Sequence, residues 1–523
     1  MRSGYTRNTE YFRVLSGREM KVIKNIFAIT FVFAIGLCQA QQYGSTDFEA
    51  TGSPEAHKAF TLGLLEMHNF EYADALASFE KAQSIDPNFT MAYWGEALAY
   101  DQFFWHRHQV DKSRAALAKL GATPEARAER AATQREKDYL QTIEILFGEG
   151  EHHERELAYS DALRDLHEKY PEDLDAAAFY ALSILATSYD GRDFARYMRA
   201  GAITESILAV NPRHPGALHY NIHSYDDPIH APLGLRSASV YSDVAPSAVH
   251  ALHMGSHIYY ALGMWEEGVE RNIRSYEEDV SRQADPNDPY GNQAYHALTW
   301  VPYGMQQMGK NAEAREYIAR IAKQVEQYGE DAAVHRNHYV TTRASYLVDT
   351  QEWDSELADI EIGHQGLSDY AITTDLYVKG LVALNRGEVE DARSALTMMN
   401  MHGAIDMGAM DMEGMSNMEG MVMTSAKRAD TAPTLLLLAL QGQIALAEGD
   451  SDRAIQLISR AEQIEGALPS EYGPAVPVQP MAELLADVYR QSGNSAMAKK
   501  YYEISLQRAV GRIRSLSGLD LLL

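Results

Sequence analysis

Six of the 19 histidines lie between His219 and His257, in the strings H-Y-N-I-H (219–223) and H-A-L-H-M-G-S-H (250–257), with His230 between them. Neutral imidazole is a metal ligand as well as a proton carrier near neutral pH. On a helix, histidines at i and i+4 share a face, so His219 with His223, and His253 with His257, form two pairs. The second pair repeats the first 34 residues later. Helices packed side by side have axes about 8 to 10 Å apart, close enough for two such pairs to converge on one pocket. Four imidazoles with a carboxylate nearby suit Zn(II), Cu(II), Fe(II) or Ni(II). Asp226 and Asp227 are placed to ligate, or to orient an imidazole from behind. His250 stands beside the second pair, and His230, just past Pro228, is expected to fold over the pocket.

A second constellation is softer. Ten of the 21 methionines fall between Met398 and Met423, among them Met407, Met410, Met412, Met415, Met418 and Met421 at spacings of two or three. Thioether sulfur favours Cu(I) and needs no deprotonation to bind it. Gly403, Gly408, Gly414 and Gly420 keep the stretch from being a core helix. It is similar to the methionine-rich loops of periplasmic copper-handling proteins. A flexible adhesive surface, an oxidant sink and a neutral loop are the competing readings.

These side chains are positioned by helices. Segments of 10 to 15 residues with 3.6-residue apolar periodicity alternate with Gly and Pro junctions, and no useful strand alternation appears. Residues 56–89 place Leu62-Gly63, Tyr72, Ala75, Phe79, Ala82 and Pro87 in a register that returns in 215–248 as Gly234, Ala238, Tyr241 and Pro246. Residues 249–282 follow with Gly263-Met264-Trp265 at the turn and Gly268 at the helix crossing. Further turns are expected at Met308-Gly309-Lys310, Gln351-Glu352-Trp353, Arg386-Gly387-Glu388, Glu448-Gly449-Asp450 and Ser492-Gly493-Asn494. This pattern resembles the tetratricopeptide repeat. The resemblance implies an all-α, right-handed superhelical solenoid of antiparallel helix pairs with a concave groove. It also implies that first-helix positions 2, 5, 9 and 12 line that groove. His250 takes position 2, the four paired histidines positions 5 and 9, and Asp226 position 12. His296, Tyr303 and His338 extend the groove wall. The paired histidine strings resemble those of exported bacterial repeat proteins carrying H-Y-x-I-H and H-A-L-H-M-x-S-H-I, a likeness that speaks to fold and site and not to activity.

Two regions break the frame. Residues 101–160 read as irregular helix, with His106 and His108, and likewise His152 and His153, expected to point to diverging surface faces. Trp94, Glu96 and Tyr100 read as groove wall or core. The expected divisions are an extension and signal over 1–40, helical repeats over 41–214, the histidine-bearing repeats over 215–397, the methionine-rich insertion over 398–430, and terminal repeats over 431–523.

Lys21 and Lys24 precede an apolar run, Ile26 to Leu37, and then Cys38-Gln39-Ala40, the order of a secretory signal. Met20 is the more natural start, cleavage is expected near Ala40, and no membrane insertion is expected afterwards. A periplasmic or extracellular location follows. Leu37 stands before Cys38 where lipidation needs a small residue, so a lipoprotein is not expected. Beyond residue 40 the chain has no cysteine, and 40 Lys and Arg face 71 Asp and Glu, a net charge of −31. Such acidity repels nucleic acid and attracts cations. With thiols excluded, metal ligands must be His, Asp, Glu or Met. The sequence therefore points to a metal-handling or metal-dependent binding module, copper favoured, with zinc or iron also suited. A metal-dependent hydrolase or oxidase using the same His/Asp centre is the first alternative. A metal-free scaffold holding a peptide or protein in its groove is the second.

Overall fold

The turn glycines explain the fold. Gly263, Gly309, Gly387, Gly449 and Gly493 all have positive φ between 71° and 86°, the left-handed conformation that ends a helix and reverses the chain. Every one is a turn that the repeat frame anticipates. The computed structural model describes residues 42–189, 191–282, 292–329, 333–401, 425–469 and 472–523. The signal reading (1–40) and all six methionines proposed as soft ligands lie outside these described residues.

Tyr43–Leu523 form one unit. Its helices are α1 Pro54–His68, α2 Tyr72–Ile85, α3 Thr90–Ala99, α4 Val110–Leu120, α5 Pro124–Arg130, α6 Gln134–Leu146, α7 His152–Lys169, α8 Leu174–Ala186, α9 Phe194–Val210, α10 Pro215–Tyr225, α11 Ala231–Val244 and α12 Val249–Ala261. They continue as α13 Trp265–Arg282, α14 Asn292–Gln307, α15 Asn311–Tyr328, α16 Ala333–Thr350, α17 Asp369–Asn385, α18 Val389–Met401, α19 Ser425–Ala447, α20 Ser451–Ala467, α21 Met481–Gln491, α22 Ser495–Arg508 and α23 Ile513–Asp520. Between α3 and α4, β1 (Asp101–Gln102) pairs antiparallel with β2 (Arg107–His108) across a 3-10 turn. The architecture is an all-α superhelix in which successive helices pack as hairpins. Among the described residues, no helix is long and apolar enough to cross a membrane.

Small residues sit where helices cross, as the frame requires. A Cβ built on Gly268 would lie 2.2 Å from Tyr260 Cε1, and one on Gly234 2.6 Å from Ile258 Cδ1. Gly268→Ala is expected to cost about 1 to 3 kcal/mol through overpacking, measurable as a lower urea midpoint at unchanged slope.

Two expectations need correction. Residues 101–160 are not irregular helix but a tight β-hairpin followed by the regular helices α4 to α7. The reason is His106, whose φ of 51° closes the hairpin. At Gln351 the chain does turn, with φ 58°, yet no second helix follows. Residues 351–368 are bends and turns until Ser368 caps α17. Arg343, buried beneath this loop, donates to the carbonyls of Leu357 and Ala358, which supplies backbone partners that a helix would have supplied itself.

The repeats do not simply stack in order. α1 also packs against α10. Tyr241 donates to Asn69 Oδ1 at 2.8 Å, and Arg282 pairs with Glu71 and Asp74. The first repeat thereby closes over the repeats that carry the histidines. At the other end, α23 packs against α14.

Candidate metal centre

α10 and α12 begin at the residues the repeat frame gives, Pro215 and Val249, and lie in contact. Their histidines face each other. The Nε2 atoms of His253 and His257 are 3.0 Å apart, as are those of His219 and His250. One potential ligand atom each from His219, His223 and His250 lie within 4.8 Å of one another, and the same holds for His253, His257 and His296. The rings of His223 and His257 join the two triads at 5.5 Å.

The proton on each ring can be assigned from its partner. His219 Nδ1–H donates to the His68 carbonyl at 2.9 Å. His223 and His257 each donate Nδ1–H to the same oxygen, Asp226 Oδ2, at 3.1 Å. Asn272 gives its amide N–H to the Gly268 carbonyl, so its Oδ1 accepts from His253 Nδ1. All four rings therefore carry a proton on Nδ1 and turn Nε2 inward. His223 Nε2 is buried with no hydrogen bond.

Five of the six triad rings are pushed toward the neutral form. Burial foremost, with the neighbouring rings adding, pushes His250 and His296 well below the ordinary imidazole range. His219 and His253 are lowered as far by the same causes, against their hydrogen bonds to His68 and Asn272. Burial takes His257 to about 4 despite Asp226. Asp226 resists its own burial because Arg192, His223 and His257 hold its carboxyl below the usual range. Leaving a polar atom buried and unpaired costs about 1 to 3 kcal/mol. A cation among these lone pairs would satisfy them together.

The other expected residues fall into three groups. Asp226 is fully buried behind the rings and orients two of them. Asp227 pairs with Arg192 and His230, and His230 packs on Phe194, so His230 does not fold over the pocket. The ring is held there because Asp227 Oδ1 also accepts the backbone N–H of His230. His338 and Tyr303 line an adjoining cavity of about 450 Å³ that His296 and Tyr472 share with the histidine cavity of about 600 Å³.

The cluster is roofed rather than open. Phe70 lies 4.3 Å from the His219 ring, Phe104 4.4 Å from His223, Trp105 5.6 Å from His250, and Tyr472 4.0 Å from His257. These residues, with Asn272, Arg192 and the His68 carbonyl, escaped sequence reasoning. A second buried set, His68 with Asp175 at 2.9 Å and His214 with Asp175 at 3.5 Å, escaped it too, because its members come from three distant repeats. Trp94 is core, and Glu96 is buried against Gln83 and Lys119.

The fold and site define an all-α repeat protein with a histidine-lined interior. The tetratricopeptide repeat family model matches residues 481–508, which are α21 and α22. No curated protein matches the chain. Among solved structures, the Cut9-Hcn1 hetero-tetramer of the APC/C is similar at 13% identity, over 95% of this chain and 81% of that one, with a TM-score of 0.35. The human IFIT1 dimer with PPP-AAAA is similar at 12% identity, over 86% and 89%, with a TM-score of 0.37. The P58(IPK) TPR domain is similar at 11% identity, over 90% and 97%, with a TM-score of 0.21.

Proposed function

We propose that this tetratricopeptide-repeat protein carries a transition-metal centre on its two histidine triads and serves in metal handling or metal-dependent binding. One observation carries the reading. Four buried imidazoles have their Nδ1 protons committed to oxygen acceptors and their Nε2 atoms turned inward, two to each triad. Lone pairs 3.0 Å apart, as at His253 and His257, repel unless a cation or proton lies between them. An outer oxygen fixing the tautomer is the usual support of a metal-bound histidine.

Imidazole donors suit Cu(II) and Zn(II), and iron to a lesser degree. Copper is favoured because Met407 to Met421 add a soft donor set on the same chain. On this reading the protein is exported, with cleavage near Ala40, and the methionines capture Cu(I). The enzyme alternative, a hydrolase or oxidase, draws on the cavity of about 600 Å³ that adjoins His223, His250, His253 and His257, which gives room for a substrate. A metal-free peptide scaffold draws on the adjoining cavity lined by Asn337, Thr341 and Ser345.

Metal analysis of protein purified from its own host tests the proposal. Stoichiometric metal is expected, with a further rise in unfolding midpoint on adding Cu²⁺ or Zn²⁺; a ligand at 100 times its Kd stabilises by about 2.7 kcal/mol. Lack of stoichiometric metal together with an unmoved midpoint would sink it. Deleting residues 400–424 should impair Cu(I) loading alone.

A further inference from the structure

The hairpin before α4 and the start of α7 carry a separate set of ligand-type side chains. His106, His108 and Glu156 each present a ligand atom within 4.8 Å of the others. Glu156 is 1% exposed and Asp101 2% exposed, while His106 is open to solvent. Asp101 Oδ1 lies 2.5 Å from His108 Nδ1. A carboxylate only accepts, so His108 carries a proton on Nδ1 and its Nε2 faces Glu156 Oε1, 3.6 Å away. That is the support a metal-bound imidazole receives from behind.

Glu156 Oε1 is buried without a hydrogen bond. The one other ring at hand does not supply a ligand. Arg155 donates to His152 Nδ1 at 3.1 Å, so the ring proton of His152 is on Nε2, which lies 3.1 Å from Glu156 Oε1 but outside hydrogen-bond alignment. Two imidazoles and one carboxylate remain, with the exposed side open to water.

We infer that His106, His108 and Glu156 form a second divalent-cation site of the Zn(II) class, oriented by Asp101 and independent of the histidine triads. Two histidines, a glutamate and water make a common zinc donor set. The left-handed backbone at His106, φ 51°, is what returns its ring toward His108 across the hairpin. The same hairpin lays Phe104 and Trp105 on His223 and His250. A cation tying the hairpin to α7 therefore also holds down part of the roof over the triads.

The test is equilibrium dialysis of the full-length chain against Zn²⁺ alone, with metal counted by mass spectrometry and Co²⁺ visible absorption as a second readout. His106→Ala, at an exposed position, should lower bound Zn²⁺ by one equivalent, as should Glu156→Gln. Asp101→Asn should weaken that equivalent by roughly 10- to 100-fold. The same His106→Ala loss should appear in a His223→Ala/His257→Ala background, where the triads are disabled. Unchanged Zn²⁺ content and Co²⁺ absorption in folded His106→Ala would overturn the proposal, whatever the triads bind. If the double substitution leaves metal content unaltered and His106→Ala lowers it, the triad reading fails and this one stands.

Discussion

Asp226→Asn is expected to weaken metal binding at the histidine triads by about 10- to 100-fold while leaving the helices in place. One carboxylate oxygen accepts from both His223 and His257. An amide of the same shape offers one accepting oxygen and one donating nitrogen, so it cannot face two ring N–H groups and Arg192 together. With the nitrogen toward the rings, an imidazole shifts its proton to Nε2 and a ligand is lost; with the oxygen toward them, the amide N–H groups face Arg192 and the rings are pushed out of place. Competition titration with a chromophoric chelator reads this directly. Asp226→Ala adds a stability term, since Arg192 then loses its shorter ion pair and keeps only Asp227 at 3.1 Å. Removing one partner of a buried pair costs about 3 to 5 kcal/mol; Asp227 should hold the loss to the lower end in urea unfolding. Full metal affinity in a folded Asp226→Asn protein would mean that the carboxylate is structural only.

Arg512→Ala is expected to cost a similar 3 to 5 kcal/mol, roughly, at a site remote in sequence from the histidines. Its guanidinium is wholly buried and bridges Asp349 and Glu483, donating to Glu483 at 2.8 and 3.0 Å. Without it two carboxylates stay in the interior with neutral donors from Ser515 and Gln307 and with Arg514 3.5 Å from Glu483. Converting all three to neutral residues, Arg512→Met with Asp349→Asn and Glu483→Gln, should recover much of the loss, because no unpaired charge is then left behind. A triple variant no more stable than Arg512→Ala would show that side-chain packing, not charge, holds α23 against the repeats. Arg512 also reaches Tyr303 Oη at 3.4 Å, so the single variant should loosen the wall of the cavity next to His296.

The amino-acid sequence by itself determined the repeat. Helix periodicity, small residues at crossings and glycines at turns are local properties, and each acts within one helix pair. They sufficed to start α10 at Pro215 and α12 at Val249 and to put His219, His223, His253 and His257 on facing surfaces. Only the tertiary structure decided that this surface is buried. Phe70 and the His68 carbonyl come from a repeat about 150 residues earlier, and Tyr472 from a loop more than 200 residues later. Nothing in local spacing encodes such contacts; they follow from α1 packing back on α10. The same limit applies to His106, His108 and Glu156. Helical spacing sends the two histidines to different faces, but a left-handed residue and a two-residue strand pair turn them together against α7. Repeat chemistry is local because every helix pair buries its apolar face against its immediate neighbours in the stack. The site is not local, because its ring protons, its roof and its charges are set by parts of the chain that meet only after the superhelix has closed.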